Sequence, residues 1–130
     1  MSEIILPWPP RCLWPNSRVD RRAASGTRAQ YRADGAKATW AAGFSRLPWE
    51  RAHLRITFCP PDGRRRDIDN MLAAIKSGLD GISDVIGIDD SRWELSLRRG
   101  LVVKGGAVGA VRVALIPPFP ETKFHGNSGA

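Results

Sequence analysis

The sequence predicts an α+β domain, a small mixed β-sheet with two main helices packed on it. Three observations carry that prediction. Residues 52–59 alternate, with Leu54, Ile56 and Phe58 on one side and His53, Arg55 and Thr57 on the other, the pattern of a half-buried strand. Met71, Leu72, Ile75, Leu79 and Ile82 recur at three- and four-residue steps, which makes one apolar stripe along a helix. Two further alternating runs follow, Trp93-Leu95-Leu97 and Val111-Val113-Leu115, and both read as strands.

The elements follow in order. Glu3-Ile4-Ile5-Leu6 reads as a short first strand, stopped by Pro7-Trp8-Pro9-Pro10 because proline cannot donate to a ladder. Residues 11–27 are irregular and arginine-rich, with a turn signal at Pro15-Asn16-Ser17-Arg18. From about Arg28 to Ala42 the alanine-rich composition predicts a helix with Tyr31 and Trp40 as its large apolar groups, bracketed by Gly43 and Pro48. Pro60-Pro61-Asp62-Gly63 is a turn. Asp69 or Asn70 can cap the second helix, which runs to about Leu79 or Asp80 with Gly81 suited to its C-terminal cap. Residues 83–91 then form a loop carrying Asp84, Asp89 and Asp90. A turn at Gly105-Gly106 sets the last strand antiparallel to the one before it. Pro117-Pro118 ends that strand. Residues 1–118 are one domain of β-α-β-α-β-β order, and 119–130 are a loose tail.

Charge is unevenly spread. The net charge is +7, yet residues 11–66 hold 13 Lys/Arg against 4 Asp/Glu, whereas residues 67–96 hold 2 against 7. Residues 97–130 return to an excess of cations. A polyanion is drawn to such a basic frame, and the acidic centre needs a cation to tolerate it. The two cysteines, Cys12 and Cys59, have no motif spacing, so a reduced, cytoplasmic setting is expected, with Cys59 a small core residue. The start of the chain shows no basic n-region or long apolar run, and no stretch reaches the roughly 20 apolar residues of a membrane span.

The chemistry concentrates in Arg64-Arg65-Arg66-Asp67-Ile68-Asp69-Asn70 and in Asp89-Asp90 about twenty positions later. If the first segment is extended, the Asp67 and Asp69 carboxylates share a face. If Asp69 starts the helix, its carboxylate lies at the positive helix end. Such oxygen ligands suit Mg²⁺ or Mn²⁺, and neighbouring arginines suit a phosphate-bearing substrate. Lys76 lies seven positions after Asp69, on one helical face with Ala73 and Asp80. It is either an exposed lysine beside the apolar stripe or a cation that steadies carboxylates or phosphate. Read blandly, Asp69 only caps a helix and Asp89-Asp90 only marks a turn. The conjunction of both pairs with three arginines favours metal-assisted chemistry on a nucleic-acid backbone. Ser-His-Asp chemistry lacks support, because Ser77 and Ser83 have no histidine near them in sequence. Zinc spacings and a glycine-rich phosphate loop are absent too.

On these residues the chain resembles the RusA family of Holliday-junction endodeoxyribonucleases, common in prophages. The Asp67-Ile68-Asp69-Asn70 run followed by Asp89-Asp90 carries the resemblance, supported by Leu6-Pro7-Trp8-Pro9-Pro10 and Pro15-Asn16-Ser17-Arg18. It covers roughly residues 4–116. It implies that Asp67, Asp69 and Asp90 are the essential aspartates, with Asp89 beside them and Asn70 as the motif asparagine. The family pattern has a lysine four residues after the second aspartate. This chain has Ala73 there, and Lys76 stands one turn further on. The resemblance also implies Mg²⁺ dependence, a homodimer, and paired cuts at four-way DNA junctions that leave 5′-phosphate and 3′-hydroxyl ends. Arg64, Arg65 and Arg66, with some of Arg11, Arg18, Arg21 and Arg22, are the expected phosphate contacts. Trp8, Trp14, Trp40 and Trp49 offer more large apolar surface than a small core hides, so some are expected at the dimer interface. A non-catalytic nucleic-acid-binding module, or a metal nuclease acting on RNA or flaps, are the alternatives.

Overall fold

The computed structural model describes residues 3–18, 21–102 and 109–118. Arg21 is described in its backbone only. The turn expected at Gly105-Gly106, the tail 119–130 and the side chain of Arg21 lie outside the described residues.

Ile4–Pro7 forms β1, with Ile4 and Leu6 fully buried and Ile5 outward. A short 3-10 turn, Arg11–Leu13, follows the prolines. Helix α1, Arg21–Ala41, starts well before the expected Arg28. Ser25 and Gly26 disguise its first turns as a loop, although alanines flank them. Tyr31 is buried, but Trp40 is 59% exposed. Nine residues separate them, which at 100° per residue is half a revolution, so one helix cannot bury both on the same side.

Ala52–Cys59 forms β2, and its buried residues alternate as the sequence predicts. The stripe from Met71 to Ile82 is buried as expected, Leu72 only in part. It is carried on two helices, however: α2, Ile68–Ala74, and α3, Lys76–Ile86. At Ile75 (φ −99°, ψ 6°) the N–H bonds the Leu72 carbonyl at 3.2 Å, an i−3 step that tightens the turn and separates the helices. Gly81 is not the cap. It is buried within α3, which ends instead at Gly87 (φ 75°), whose N–H donates to the Ser83 carbonyl at 2.9 Å. Asp84 is therefore helical rather than in a loop.

Trp93–Arg99 forms β3 and Ala110–Ile116 forms β4. The sheet order is β1-β4-β2-β3. Strand β2 pairs parallel with β3 and antiparallel with β4, and β4 pairs antiparallel with β1. The last two strands are thus not hairpin neighbours, since β2 stands between them. A turn signal sets a reversal of direction but not the adjacent partner. Among the described residues the fold is mixed α+β, a four-stranded mixed sheet with three α-helices.

The core joins one face of β1, β2 and β4 to Tyr31 of α1, Met71 of α2, Ile75 at the break, and Leu79, Ile82 and Ile86 of α3. Cys59 is buried, as expected. Trp8, Trp14 and Trp49 are partly buried against the core, and Trp40 is the exposed one of these four. No helix among the described residues is long and apolar enough to cross a membrane.

Candidate nucleic-acid interface

Two stretches far apart in sequence build one cleft of about 1280 Å³. The first follows β1 and supplies Trp8, Trp14, Arg11 and Arg18. The second follows β2 and supplies Arg64, Arg65, Arg66, Asp67 and Asn70. Proline-driven turns make this possible. Pro9 and Pro10 end β1, and the Pro10 carbonyl accepts from Leu13 N–H at 3.0 Å, turning the chain back. Trp14 then donates its indole N–H to the Pro9 carbonyl at 3.3 Å and lies 5.8 Å from the Trp8 ring.

Arg66 ties the two stretches together. Its side chain is only 15% exposed and pairs with Asp62 at 2.9 Å. It also donates to the carbonyls of Asp62 and Arg64 at 3.3 and 3.1 Å. The guanidinium carbon sits 5.3 Å from the centre of the Trp8 ring, a cation–π contact. Arg66 therefore shapes the cleft wall rather than extending freely into it. Asp62 is the residue that sequence reasoning missed, and its i,i+4 spacing to Arg66 was the available signal. Its carboxyl is held below the usual range, first by the Arg64 backbone N–H at 2.9 Å and then by Arg66. The Arg64 side chain is 81% exposed, with Asp62 at 3.9 Å. Arg11, Arg18 and Arg65 are exposed as well. Arg22 is exposed in the first turn of α1 but does not line the cleft.

Asp67 occupies the N-cap position of α2 in an extended conformation (φ −77°, ψ 140°), and its carboxylate makes no capping hydrogen bond. Asp69 follows in the first turn and accepts from Asn70 N–H at 3.1 Å. Both are exposed. Asp89 is the cap of a 3-10 turn, Asp90–Arg92, and accepts from Ser91 N–H at 3.0 Å. Ser91 holds the Asp89 carboxyl below its ordinary range, helped by Arg92 and Lys76.

Lys76 opens α3 and pairs with Asp90 across fourteen positions and with Asp80 at 3.4 Å. The hydrogen bond to Asp90 is the main reason its ammonium is held above the ordinary lysine range. Lys76 is exposed beside the apolar stripe and ion-paired with both carboxylates, so both sequence readings of it are compatible with this geometry. Asp69, Ala73 and Lys76 are all exposed, so they share the outward face despite the break at Ile75.

The donor chemistry of Asp67, Asp69, Asp89 and Asp90 suits a hard divalent cation. The arrangement does not match a preassembled cage. Among the described residues no three histidine, cysteine, aspartate or glutamate side chains group closely enough to hold a metal, and Asp90 is engaged by Lys76. His53 meets a serine, Ser96, at 2.7 Å across β2 and β3, a cross-strand pair that the sequence did not reveal.

No protein-family model matches the chain. It is similar to an uncharacterized protein of Xylella fastidiosa, 44% identical over 98 residues. The match covers 72% of this chain and 63% of that protein, so it spans under two thirds of the relative's length.

Proposed function

We propose that this chain grips the sugar–phosphate backbone of DNA in the arginine cleft and is a structure-selective endodeoxyribonuclease of the RusA kind, resolving four-way junctions in recombination and repair. The observation that carries the reading is the convergence of five arginines from two distant stretches on one cleft, with Asp67 in the same wall. Arg11, Arg18, Arg64 and Arg65 are the proposed phosphate contacts, and Arg66 positions the wall through Asp62 and Trp8. Asn70 lines the same cleft and is a further proposed DNA contact.

The requirement for Mg²⁺ or Mn²⁺, with Asp67, Asp69 and Asp90 essential and Asp89 beside them, enters the proposal from the resemblance and from donor chemistry. Two cuts on strands related by two-fold symmetry call for two sites. A homodimer therefore belongs to the proposal, as does a cytoplasmic location. The second reading, a non-catalytic DNA-binding module, draws on the Lys76–Asp90 pair, which neutralises a carboxylate that a metal would need.

A labelled four-way junction, with linear duplex and flap controls, separates them. The nuclease reading expects junction cleavage with Mg²⁺ or Mn²⁺ and binding alone in EDTA. Asp67→Asn, Asp69→Asn and Asp90→Asn should each abolish cleavage yet retain binding. Tight junction binding without cleavage in any divalent cation establishes the binding module instead. Preferential cutting of flaps would reassign the substrate.

A further inference from the structure

A second cavity, of about 390 Å³, opens at the other end of the sheet. It is lined by Arg51 and His53 at the start of β2, by Arg92, Trp93 and Glu94 at the start of β3, and by the end of β4. Since β4 runs antiparallel to β2, its end meets the start of β2. The arginine cleft lies past the other end of β2, about 23 Å away for eight residues at roughly 3.3 Å per step.

Parallel pairing of Ala52 with Trp93 brings their predecessors, Arg51 and Arg92, side by side at the strand starts. Both are exposed, and neither guanidinium has an ion pair or a side-chain hydrogen bond among the described residues, although Arg92 acts on the Asp89 carboxylate at longer range. Two like charges lining one small cavity raise its potential, and an anion relieves it. Guanidinium groups favour phosphate, which they can meet with two parallel hydrogen bonds. Beside them stands Trp93, whose indole N–H donates to the Ile88 carbonyl at 3.0 Å, so the ring is fixed before any ligand arrives. His53 is likewise held, by Ser96 at 2.7 Å. Glu94 repels phosphate and accepts from hydroxyl or amino groups, which assigns it to the sugar or base end of a ligand.

We infer that this cavity binds a nucleoside monophosphate group, its phosphate on Arg51 and Arg92 and its base against Trp93. The volume lies at the lower end of the range for small-molecule sites, about 300–1000 Å³, and aromatic rings stack bases with little sequence preference. The group can arrive as a free mononucleotide or as one nucleotide of a single strand. The inference does not rest on the nuclease reading, because it uses other residues and no reaction, and loss of junction cleavage would not bear on it.

Calorimetric titration of the full chain tests it, using the four 2′-deoxynucleoside 5′-monophosphates, the matching nucleosides, inorganic phosphate and a five-nucleotide single strand. NMR of the tryptophan indole N–H signals runs alongside. Monophosphates should bind more tightly than nucleoside or phosphate alone and shift the Trp93 signal. Arg51→Gln with Arg92→Gln should weaken binding at least tenfold and remove the Trp93 shift, whereas Arg28→Gln, at an exposed arginine of α1 that lines neither cavity, should leave both unchanged. If only the oligonucleotide binds, with the same dependence on Arg51 and Arg92, the strand is the source of the group. Absence of binding by both ligand types at millimolar concentration overturns the inference. So does binding that is indifferent to Arg51 and Arg92, or that Arg28→Gln weakens equally. Because both substituted arginines are exposed, thermal melting should confirm an intact fold.

Discussion

Tyr31 shows how one side chain joins two elements. Its ring is buried in the core, and its hydroxyl donates to the Pro7 carbonyl at 2.6 Å, fastening α1 to the end of β1 where the cleft begins. Burial, and secondarily Asp34, push its phenol far above the ordinary value. Tyr31→Phe keeps the packing and loses the hydrogen bond, so urea denaturation should show a loss of about 0.5–1.5 kcal/mol. The sign in alkali follows from the raised folded value. The unfolded chain releases its proton near pH 10 while the folded chain retains it, so stability falls above about pH 10. Tyr31→Phe should flatten that alkaline decline. Asp84 works in the opposite sense. Arg32 of α1 donates twice to its carboxylate, at 2.7 and 2.8 Å, and holds it below the ordinary range. The resulting stabilisation is complete above the unfolded value near pH 4 and disappears as the pH falls through the lower folded value. Asp84→Asn should therefore lower the melting temperature at pH 7 and show a shallower further loss on acidification. Equal acid slopes for the two proteins would remove Asp84 from the account.

Between elements, the packing of α1 on α3 depends on glycines whose purpose the sequence did not disclose. A Cβ at Gly35 would overlap the Gly78 backbone, and one at Gly81 would overlap the Arg32 carbonyl and lie 2.8 Å from the Ala36 nitrogen. By local propensity alone Gly35 only weakens a helix, and Gly81 suits a cap. Both allow the two backbones to approach, a tertiary requirement without a local signature. The strands were legible because burial on one face imposes a period of two that survives in the sequence. The break at Ile75 was not, because neither glycine nor proline marks it. The partner of β4 was equally hidden, since pairing depends on which edge of β2 is open. Gly81→Ala should destabilise by about 1–3 kcal/mol, the usual range for overpacking. Gly26→Ala is the matched control: it lies in the exposed first part of α1 with nothing within 4 Å of the added carbon. That substitution should stabilise by about 0.5–1 kcal/mol through helix propensity. Thermal melts of the two variants should move in opposite directions, and a shared direction would refute the close-approach argument.

Over the whole molecule, the basic frame inferred from composition is concentrated by folding. The sequence singles out arginines before and after β2 as expected phosphate contacts. It could not show that the stretch after β1 returns to meet the segment at residues 61–70, because that meeting depends on Trp8 and Arg66 touching. Nor could it rank the arginines: Arg66 is committed to Asp62 and Trp8, whereas Arg64 extends into solvent. Those different roles give different responses to salt. A phosphate contact releases condensed counterions, so each one lost on duplex DNA should reduce the log–log salt slope by about 0.9. Arg64→Gln and Arg65→Gln should weaken duplex binding regardless of sequence and each lower the slope by about that amount. Arg66→Gln should weaken binding by loosening the wall, shifting the affinity at every salt concentration with little change in slope, and it should also lower the melting temperature. Fluorescence anisotropy with one duplex over a range of NaCl concentrations, together with melts of the three variants, makes the comparison. A full unit of slope lost in Arg66→Gln with the fold unaffected would make Arg66 a direct phosphate contact. Slopes unaltered in all three variants would place the DNA outside this cleft.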